Sequence, residues 1–237
     1  PDCVGEKVTE TLKTLEHGGI ALLENVRFHA EEEENNPEFA LALSAPADIY
    51  VNDAFGASHR SHASTRIITD MIPAVAGLLM AKELQVLNTL LSSPTRPFTA
   101  ILGGAKVSDK IETLKNLTKL ADTVIVGGGA AATFLKSAGH AIGKSHVEEA
   151  NTDLAADMIN NKVSSIILPV DVIVADSFSK NANYQTVNIT NIPDGWIIMD
   201  IGPDTATMFK EIIRSSKTVV WNGPMGVFEW ESFSKGT

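Results

Sequence analysis

The chain reads as an α/β fold of two parallel-sheet lobes joined by a long helix, and three features of the sequence predict it. Short runs rich in Ile and Val recur along the chain, separated by stretches of helical periodicity. Those runs are near-continuously apolar rather than alternating, as befits strands buried on both faces of a doubly wound sheet. A break at Ser92-Ser93-Pro94-Thr95-Arg96-Pro97 puts two prolines and two serines within six residues, the composition of a linker.

Strands are expected at 20–24, 48–52, 98–102, 123–126, 165–175 (in two pieces around Pro169), 197–201 and 218–221. A long amphipathic helix is expected from 74 to 91, after Pro73, because Met80, Leu84, Leu87 and Leu91 recur at helical spacing. The chain therefore divides into a first lobe at 1–73, a connecting helix and linker at 74–97, and a second lobe at 98–237. The acidic run at 31–34 reads as a solvated loop or helix start. No internal repeat is evident.

Composition narrows the function. The 237 residues are 44% hydrophobic and 20% charged, an ordinary globular balance. No stretch approaches the roughly 20 consecutive apolar residues of a membrane helix, and the first residues have no basic flank or apolar run of a secretory signal. The single cysteine, Cys3, makes no intrachain disulfide and no cysteine metal cluster, which fits a reducing, cytoplasmic setting. A net charge of −10 repels nucleic acid. It also repels an anionic substrate at long range, so such a substrate needs a few well-placed Lys or Arg. The chain begins at Pro1 and stops at Thr237, just after a motif-rich stretch, and is expected to be truncated.

In open parallel sheets, ligands bind beyond the carboxyl ends of the strands. Those positions here are polar and rich in glycine. They carry Glu24-Asn25-Val26-Arg27, then Asn52-Asp53-Ala54-Phe55-Gly56 with Ser58-His59-Arg60, then Gly103-Gly104-Ala105-Lys106. Gly127-Gly128-Gly129, Asp200-Ile201-Gly202-Pro203 and Asn222-Gly223-Pro224 follow. Six together favour a ligand cleft over six tight turns.

The segment Gly103-Gly104-Ala105-Lys106-Val107-Ser108-Asp109-Lys110 opens a helix carrying Ile111, Leu114 and Leu117. Glycines admit phosphate oxygens to backbone N–H groups, and a helix N-terminus favours negative charge. Lys106 and Lys110 share a helix face, which opposes the dipole unless an anion compensates. They form either a phosphate site or two solvated lysines. Asp109 reads as a cap or lysine partner rather than a metal ligand. The segment is not a G-x-x-x-x-G-K-[ST] P-loop, and the triple glycine is not the G-x-G-x-x-G fingerprint, which counts against a dinucleotide enzyme.

The triple glycine, followed by Ala130, Ala131 and Ala132, either admits a flat ligand or packs a helix on a sheet. Arg27 and Arg60 offer planar, always-charged forks suited to phosphate and carboxylate. His59 and His62 flank Arg60, and the other four histidines are scattered without metal-ligand spacing. Glu229 either accepts ribose hydroxyls or is a surface acid.

Taken in order, these segments resemble the phosphoglycerate kinase family. Leu22-Leu23-Glu24-Asn25-Val26-Arg27-Phe28 is similar to its arginine motif, and Tyr50-Val51-Asn52-Asp53-Ala54-Phe55-Gly56 with His59-Arg60 and His62-Ala63-Ser64 is similar to a second. The 103–110 segment resembles the family's nucleotide-phosphate segment. Gly127-Gly128-Gly129, Leu168-Pro169-Val170-Asp171, Asp200-Ile201-Gly202-Pro203 and the run from Val220 to Glu229 follow in family order. The likeness covers the whole chain.

The resemblance implies two Rossmann-like lobes, both incomplete, since an N-terminal substrate motif and a C-terminal Gly-Gly-Gly-Asp-Ser/Thr segment are missing. It implies that Arg27 and Arg60 bind 3-phosphoglycerate or 1,3-bisphosphoglycerate, and that the second lobe binds ADP or ATP carrying Mg²⁺. Lys106 and Lys110 would be catalytic, meeting the nucleotide phosphates and the transferring group. Gly104 and Ala105 would line the phosphate path. Gly128 and Gly129 would lie against the base, with the stretch from Gly223 to Phe228, and Glu229 would take the ribose. Transfer would proceed by positioning and charge neutralisation on lobe closure, without a membrane or nucleic-acid partner and as a monomer. The chain alone is expected to be inactive.

Two departures stand out. Ile198 occupies a glycine of the family pattern, and Ala130 replaces a usual methionine. They leave open a nucleotide-binding relative without catalysis.

Overall fold

A computed structural model describes residues 2–104, 108, 111–160 and 165–237. It divides the chain into two compact units, Pro1–Thr89 and Leu90–Thr237.

The first unit opens with helix α1 (Glu6–Lys13), short helix α2 (Ala30–Glu33) and helix α3 (Pro37–Ser44). Asn36 caps α3 by accepting the Phe39 N–H at 3.0 Å, with Pro37 at the first helical position. Strand β1 (Tyr50–Asn52) pairs in parallel with β2 (Ala74–Ala76), Tyr50 opposite Ala74. Helix α4 (Leu78–Ser92) follows, and the boundary between the units falls inside it. The core of this unit is small: Cys3, Phe39, Ala40, Ala63 and Ile68.

Three expectations change here. Residues 20–24 form no strand; Ile20 and Leu22 are 92% and 98% exposed, and among the described residues no strand lies alongside to pair with them. The helix expected from 74 starts at Leu78, because 74–76 pair with β1 and Gly77 bonds back to Asn52 at 2.8 Å. The acidic run is the helix start, α2, rather than a solvated loop, and Glu32 within it is buried.

The second unit is built on a four-stranded parallel sheet of order β5-β4-β3-β9. These strands are β3 (Phe98–Leu102), β4 (Thr123–Val126), β5 (Ser165–Ile167) and β9 (Thr218–Asn222). The order places the chain-distant β9 beside β3. Strand alternation sends Phe98, Ala100 and Leu102 to one face, where they pack with Leu114 and Leu117 of α5 (Ile111–Leu120) and Phe134 of α6 (Gly128–Ser137). Ala155 and Met158 of α7 (Thr152–Asn160) complete that core. Ile101 and Ile125 point the other way, against Phe209 of α8 (Pro203–Ser215) and Met225. Both faces of the central strands β3 and β4 are covered, which is why these two read as near-unbroken apolar runs.

A separate three-stranded sheet of order β7-β6-β8 is antiparallel: β6 (Asp171–Ala175), β7 (Tyr184–Asn188) and β8 (Ile197–Ile201). The expected single parallel sheet thus keeps only the first piece of 165–175 and gives up 171–175 and 197–201 to a second, antiparallel sheet. The β6–β8 register shifts between Ile173 and Val174, which pair with Asp200 and Ile198 and leave Met199 as the extra residue of a bulge.

Candidate functional site

The loops leaving β3, β4 and β9 interlock. The Gly104 N–H donates to the Pro224 carbonyl at 2.7 Å, the Gly128 N–H to Met225 at 2.9 Å, the Ala130 N–H to Gly104 at 3.1 Å and the Gly103 N–H to Asn222 at 2.9 Å. Such closeness excludes side chains. A Cβ on Gly128 would lie 2.6 Å from the Gly104 nitrogen and the Pro224 oxygen, and Gly128 has φ +59°. The triple glycine is therefore needed for backbone packing. Two N–H groups at the start of α6 are already committed to protein carbonyls, which suits this end to an uncharged ligand face rather than to phosphate.

Above these loops lies a cavity of about 400 Å³. Its floor is Gly104, Gly128, Gly129 and Ala132, one wall is Ile197, Ile198 and Met199 of β8, and another is Pro224, Gly226 and Val227. Phe178 borders it, its ring centroid 5.0 Å from that of Trp230. The lining polar side chains are Ser145, His146 and Glu229. Ser145 is tied down, accepting the Ile198 N–H at 2.9 Å, while Glu229 is exposed at the rim. The lining is a mostly apolar slot with a few polar groups, the usual form of a small-molecule site.

The wall depends on a buried acid. Asp200 accepts the Ile201 N–H at 2.8 Å and the Gly236 N–H at 2.9 Å. Side chains on Gly226 and Gly236 would overlap its carboxyl group. Burial pushes Asp200 up to about 6, more than the two N–H bonds pull it down.

Of the residues read from the sequence, Gly104, Gly128, Gly129 and Glu229 meet in this cavity. Gly223 and Phe228 are not in its lining; the Gly223 carbonyl accepts the Trp221 indole N–H at 2.7 Å, and Phe228 is half exposed. Ala105, Lys106, Asp109 and Lys110 lie outside the described residues. Ile198 lines the cavity, whereas Ala130 is buried beneath it in the core. The sequence reading missed Ser145, His146 and Phe178, which stand on loops without periodicity.

Arg27 and Arg60 belong to the first unit. Arg27 sits in a single turn, Val26–Phe28, capped by Asn25, whose side chain accepts the Arg27 N–H at 3.0 Å. The Arg60 backbone is fixed through its carbonyl, which accepts the Thr65 hydroxyl at 2.8 Å. Both side chains are exposed, and among the described residues no carboxylate pairs with either. Glu32 secures the segment after Arg60 by accepting the Ser64 N–H at 2.9 Å and its hydroxyl at 2.6 Å, with His62 Nδ1 at 3.7 Å. Asp53 of the Asn52-Asp53 pair accepts the Met80 N–H at 3.0 Å, so it caps α4.

Asp2, Cys3 and His29 bring three potential ligand atoms within 4.8 Å of one another. Asp2 is already hydrogen-bonded to His29 at 2.8 Å, and that bond, with the Cys3 N–H, holds its carboxyl below the usual range. Burial, then the Asp2 charge, push the Cys3 thiol up, against the thiolate a metal needs. The trio closes a hydrogen-bonded corner.

The family model for phosphoglycerate kinase matches residues 1–237. The phosphoglycerate kinases of Gloeothece citriformis and Moorella thermoacetica are each 51% identical over the whole chain, and the cytosolic one of Triticum aestivum is also 51% identical. The chain spans 60%, 61% and 60% of their lengths. The phosphoglycerate kinase structure from Coxiella burnetii matches with a TM-score of 0.80 and 44% identity, over 90% of this chain and 56% of that one. The structure from Pyrococcus horikoshii matches with a TM-score of 0.85 and 33% identity, over 100% and 62%. Matched along its full length by the family model, and laid out as Rossmann-like parallel sheets that make up part of the family's fold, the chain belongs to the phosphoglycerate kinase family.

Proposed function

We propose that this chain is the central part of an enzyme that transfers a phosphoryl group between 1,3-bisphosphoglycerate and ADP, and back from ATP to 3-phosphoglycerate. The observation that carries this reading is the slot over the interlocked β3, β4 and β9 loops. It is mostly apolar, floored by glycines and acidic at one rim. An adenine ring fits against Gly128 and Gly129, with the ribose hydroxyls donating to Glu229.

The phosphates then run toward the 103–110 segment, where Lys106 and Lys110 supply positive charge, and the nucleotide arrives with its own Mg²⁺ as part of the substrate. Arg27 and Arg60, free of carboxylate partners among the described residues, hold the anionic groups of the phosphoglycerate. Transfer needs in-line placement and neutralisation of the equatorial oxygens more than covalent help, and these residues supply both. Among the described residues no helix is long and apolar enough to cross a membrane. The cytosolic relative from Triticum aestivum is what supports placing the enzyme in the cytoplasm.

The test is ATP-dependent phosphorylation of 3-phosphoglycerate in a coupled assay, with ADP binding measured by calorimetry. The chain alone is expected to bind ADP without turning over, and a version completed with family-like ends is expected to turn over. A folded chain that fails to bind ADP would sink the reading. Because Ile198 stands in the wall of the slot, a second reading is a nucleotide-binding relative without catalysis. Binding without turnover in the completed version, restored by Ile198→Gly, would select it.

A further inference from the structure

The two arginine segments of the first unit meet at one buried acid. Glu32 lies on α2, which begins two residues after the Arg27 turn ends, and is 2% exposed. The His29 N–H donates to the Val26 carbonyl at 3.2 Å and the Glu32 N–H to the His29 carbonyl at 3.3 Å, so turn and helix are bonded end to end.

From α2, Glu32 holds the segment after Arg60 at two successive residues. Its backbone carbonyl accepts the Ala63 N–H at 2.8 Å. Its carboxylate takes the Ser64 N–H on Oε2 at 2.9 Å and the Ser64 hydroxyl on Oε1 at 2.6 Å. The Tyr50 hydroxyl donates to the Ser64 carbonyl at 2.8 Å, and Asn35 accepts the Ile67 N–H at 3.2 Å. The Thr65 hydroxyl carries the hold back to the Arg60 carbonyl at 2.8 Å. Val26, beside Arg27, and Ala63, three residues past Arg60, pack into the same small core. Burying a carboxylate costs more than burying an apolar side chain of its size. Glu32 is too buried to touch a ligand, and what it supplies is the placement of two backbone segments.

We propose that Glu32 is a positioning residue that fixes the Arg60 segment relative to the Arg27 turn, and so sets the affinity for the anionic groups of phosphoglycerate. The proposal rests on the reading of Arg27 and Arg60 as the residues that hold those groups.

The electrostatics make the sign informative. A carboxylate repels an anion, so if Glu32 acted only as a charge, removing it would tighten phosphoglycerate binding. A residue that holds the arginine segments in place acts the other way, because exposed side chains on turns reach a set geometry only where their backbone is locked. The experiment is calorimetric titration of the full chain with 3-phosphoglycerate and with ADP. It compares the wild type, Glu32→Ala, Glu32→Gln, Ser64→Ala and Arg60→Ala, with a thermal melt of each. Val8→Ala, a buried position of α1 with no part in these contacts, is the control for lost stability alone.

The expected result is 3-phosphoglycerate binding weakened on the order of tenfold in Glu32→Ala, with ADP affinity unchanged. Glu32→Gln keeps a carbonyl acceptor and should fall between, as should Ser64→Ala, which keeps the backbone donor. These two carry the test if Glu32→Ala does not fold. Val8→Ala should lower the melting temperature and leave 3-phosphoglycerate affinity alone. Unchanged or tighter 3-phosphoglycerate binding in the Glu32 variants, beside a loss in Arg60→Ala, would overturn the proposal and leave the reading of the arginines standing. A loss in Val8→Ala as large as that in Glu32→Ala would also overturn it. A wild type that does not bind 3-phosphoglycerate, or an Arg60→Ala that binds it equally well, refutes the reading of the arginines and the proposal with it.

Discussion

The two units make opposite use of similar sequence. Residues 20–24 and 98–102 are both short apolar runs, Ile-Ala-Leu-Leu-Glu and Phe-Thr-Ala-Ile-Leu. The second is β3, buried at every position between β4 and β9. The first is irregular chain with Leu22 98% exposed. The same holds for the paired strands: Val51 of β1 and Val75 of β2 are each 54% exposed, while Val124 of β4 is fully buried. A strand signal is thus a statement about neighbours as much as about residues, because the ladder and both covered faces supply its stability.

The largest effect that sharpens this contrast is a matched pair of truncations. Leu102→Ala should cost about 2–5 kcal/mol, because it empties a packed core site. Leu22→Ala should change stability by no more than about 0.5 kcal/mol. Urea melts of both variants measure the difference, and equal costs would break the comparison.

Next come the buried acids, which the two units satisfy differently. Glu32 has a hydroxyl, an N–H and a nearby imidazole. Glu32→Ala should destabilise the first unit by about 2–3 kcal/mol by stripping the Ser64 donors of their partner. Proteolysis confined to 1–89 in the variant would report it, and cutting spread evenly over both units would not fit.

Among the described residues Asp200 has two backbone N–H donors and no side-chain one, and burial raises its folded pKa from the ordinary 3.8 to about 6. A raised folded value means that protonation favours the fold. The contribution is complete below pH 4 and is lost as the pH rises through 6. The stability of the wild type relative to Asp200→Asn should therefore fall by about 2 kcal/mol between pH 4.5 and 7. Urea midpoints at the two pH values measure it, and a flat difference contradicts the assignment.

The smallest effect is at the α4 cap. Asp53→Ala removes the acceptor of the Met80 N–H and should cost about 1 kcal/mol, while Asp53→Asn should recover most of it. Thermal melts of the two variants decide, and equal losses would show that the charge rather than the cap matters.

Much of the second unit was legible in the sequence because its strands are covered on both faces and need unbroken apolar runs. The 98–102, 123–126 and 197–201 strands fall where their Ile and Val say. β7 was not legible: Tyr184-Gln185-Thr186-Val187-Asn188 lies at a sheet edge and is mostly exposed, so its composition resembles a loop. Ala74-Val75-Ala76 merged with the helical pattern that follows it, since only Gly77 separates them. In the site, glycines announced the floor, because close backbone approach leaves no other choice of residue. Ser145, His146 and Phe178 gave no such signal; their place depends on loop path. Glu32 hid among four adjacent glutamates of which it alone turns inward.

The contact between Phe178 and Trp230 makes the molecule its own optical instrument. Phe178 edges the slot and is 65% exposed, and the indole against it continues through Phe233 to Tyr184. A flat ring bound in the slot would lie near Phe178 and would alter the surroundings of the indole behind it. The emission of Trp230, isolated by replacing Trp196 and Trp221, then reads occupancy of the slot directly, with no label attached and no turnover required.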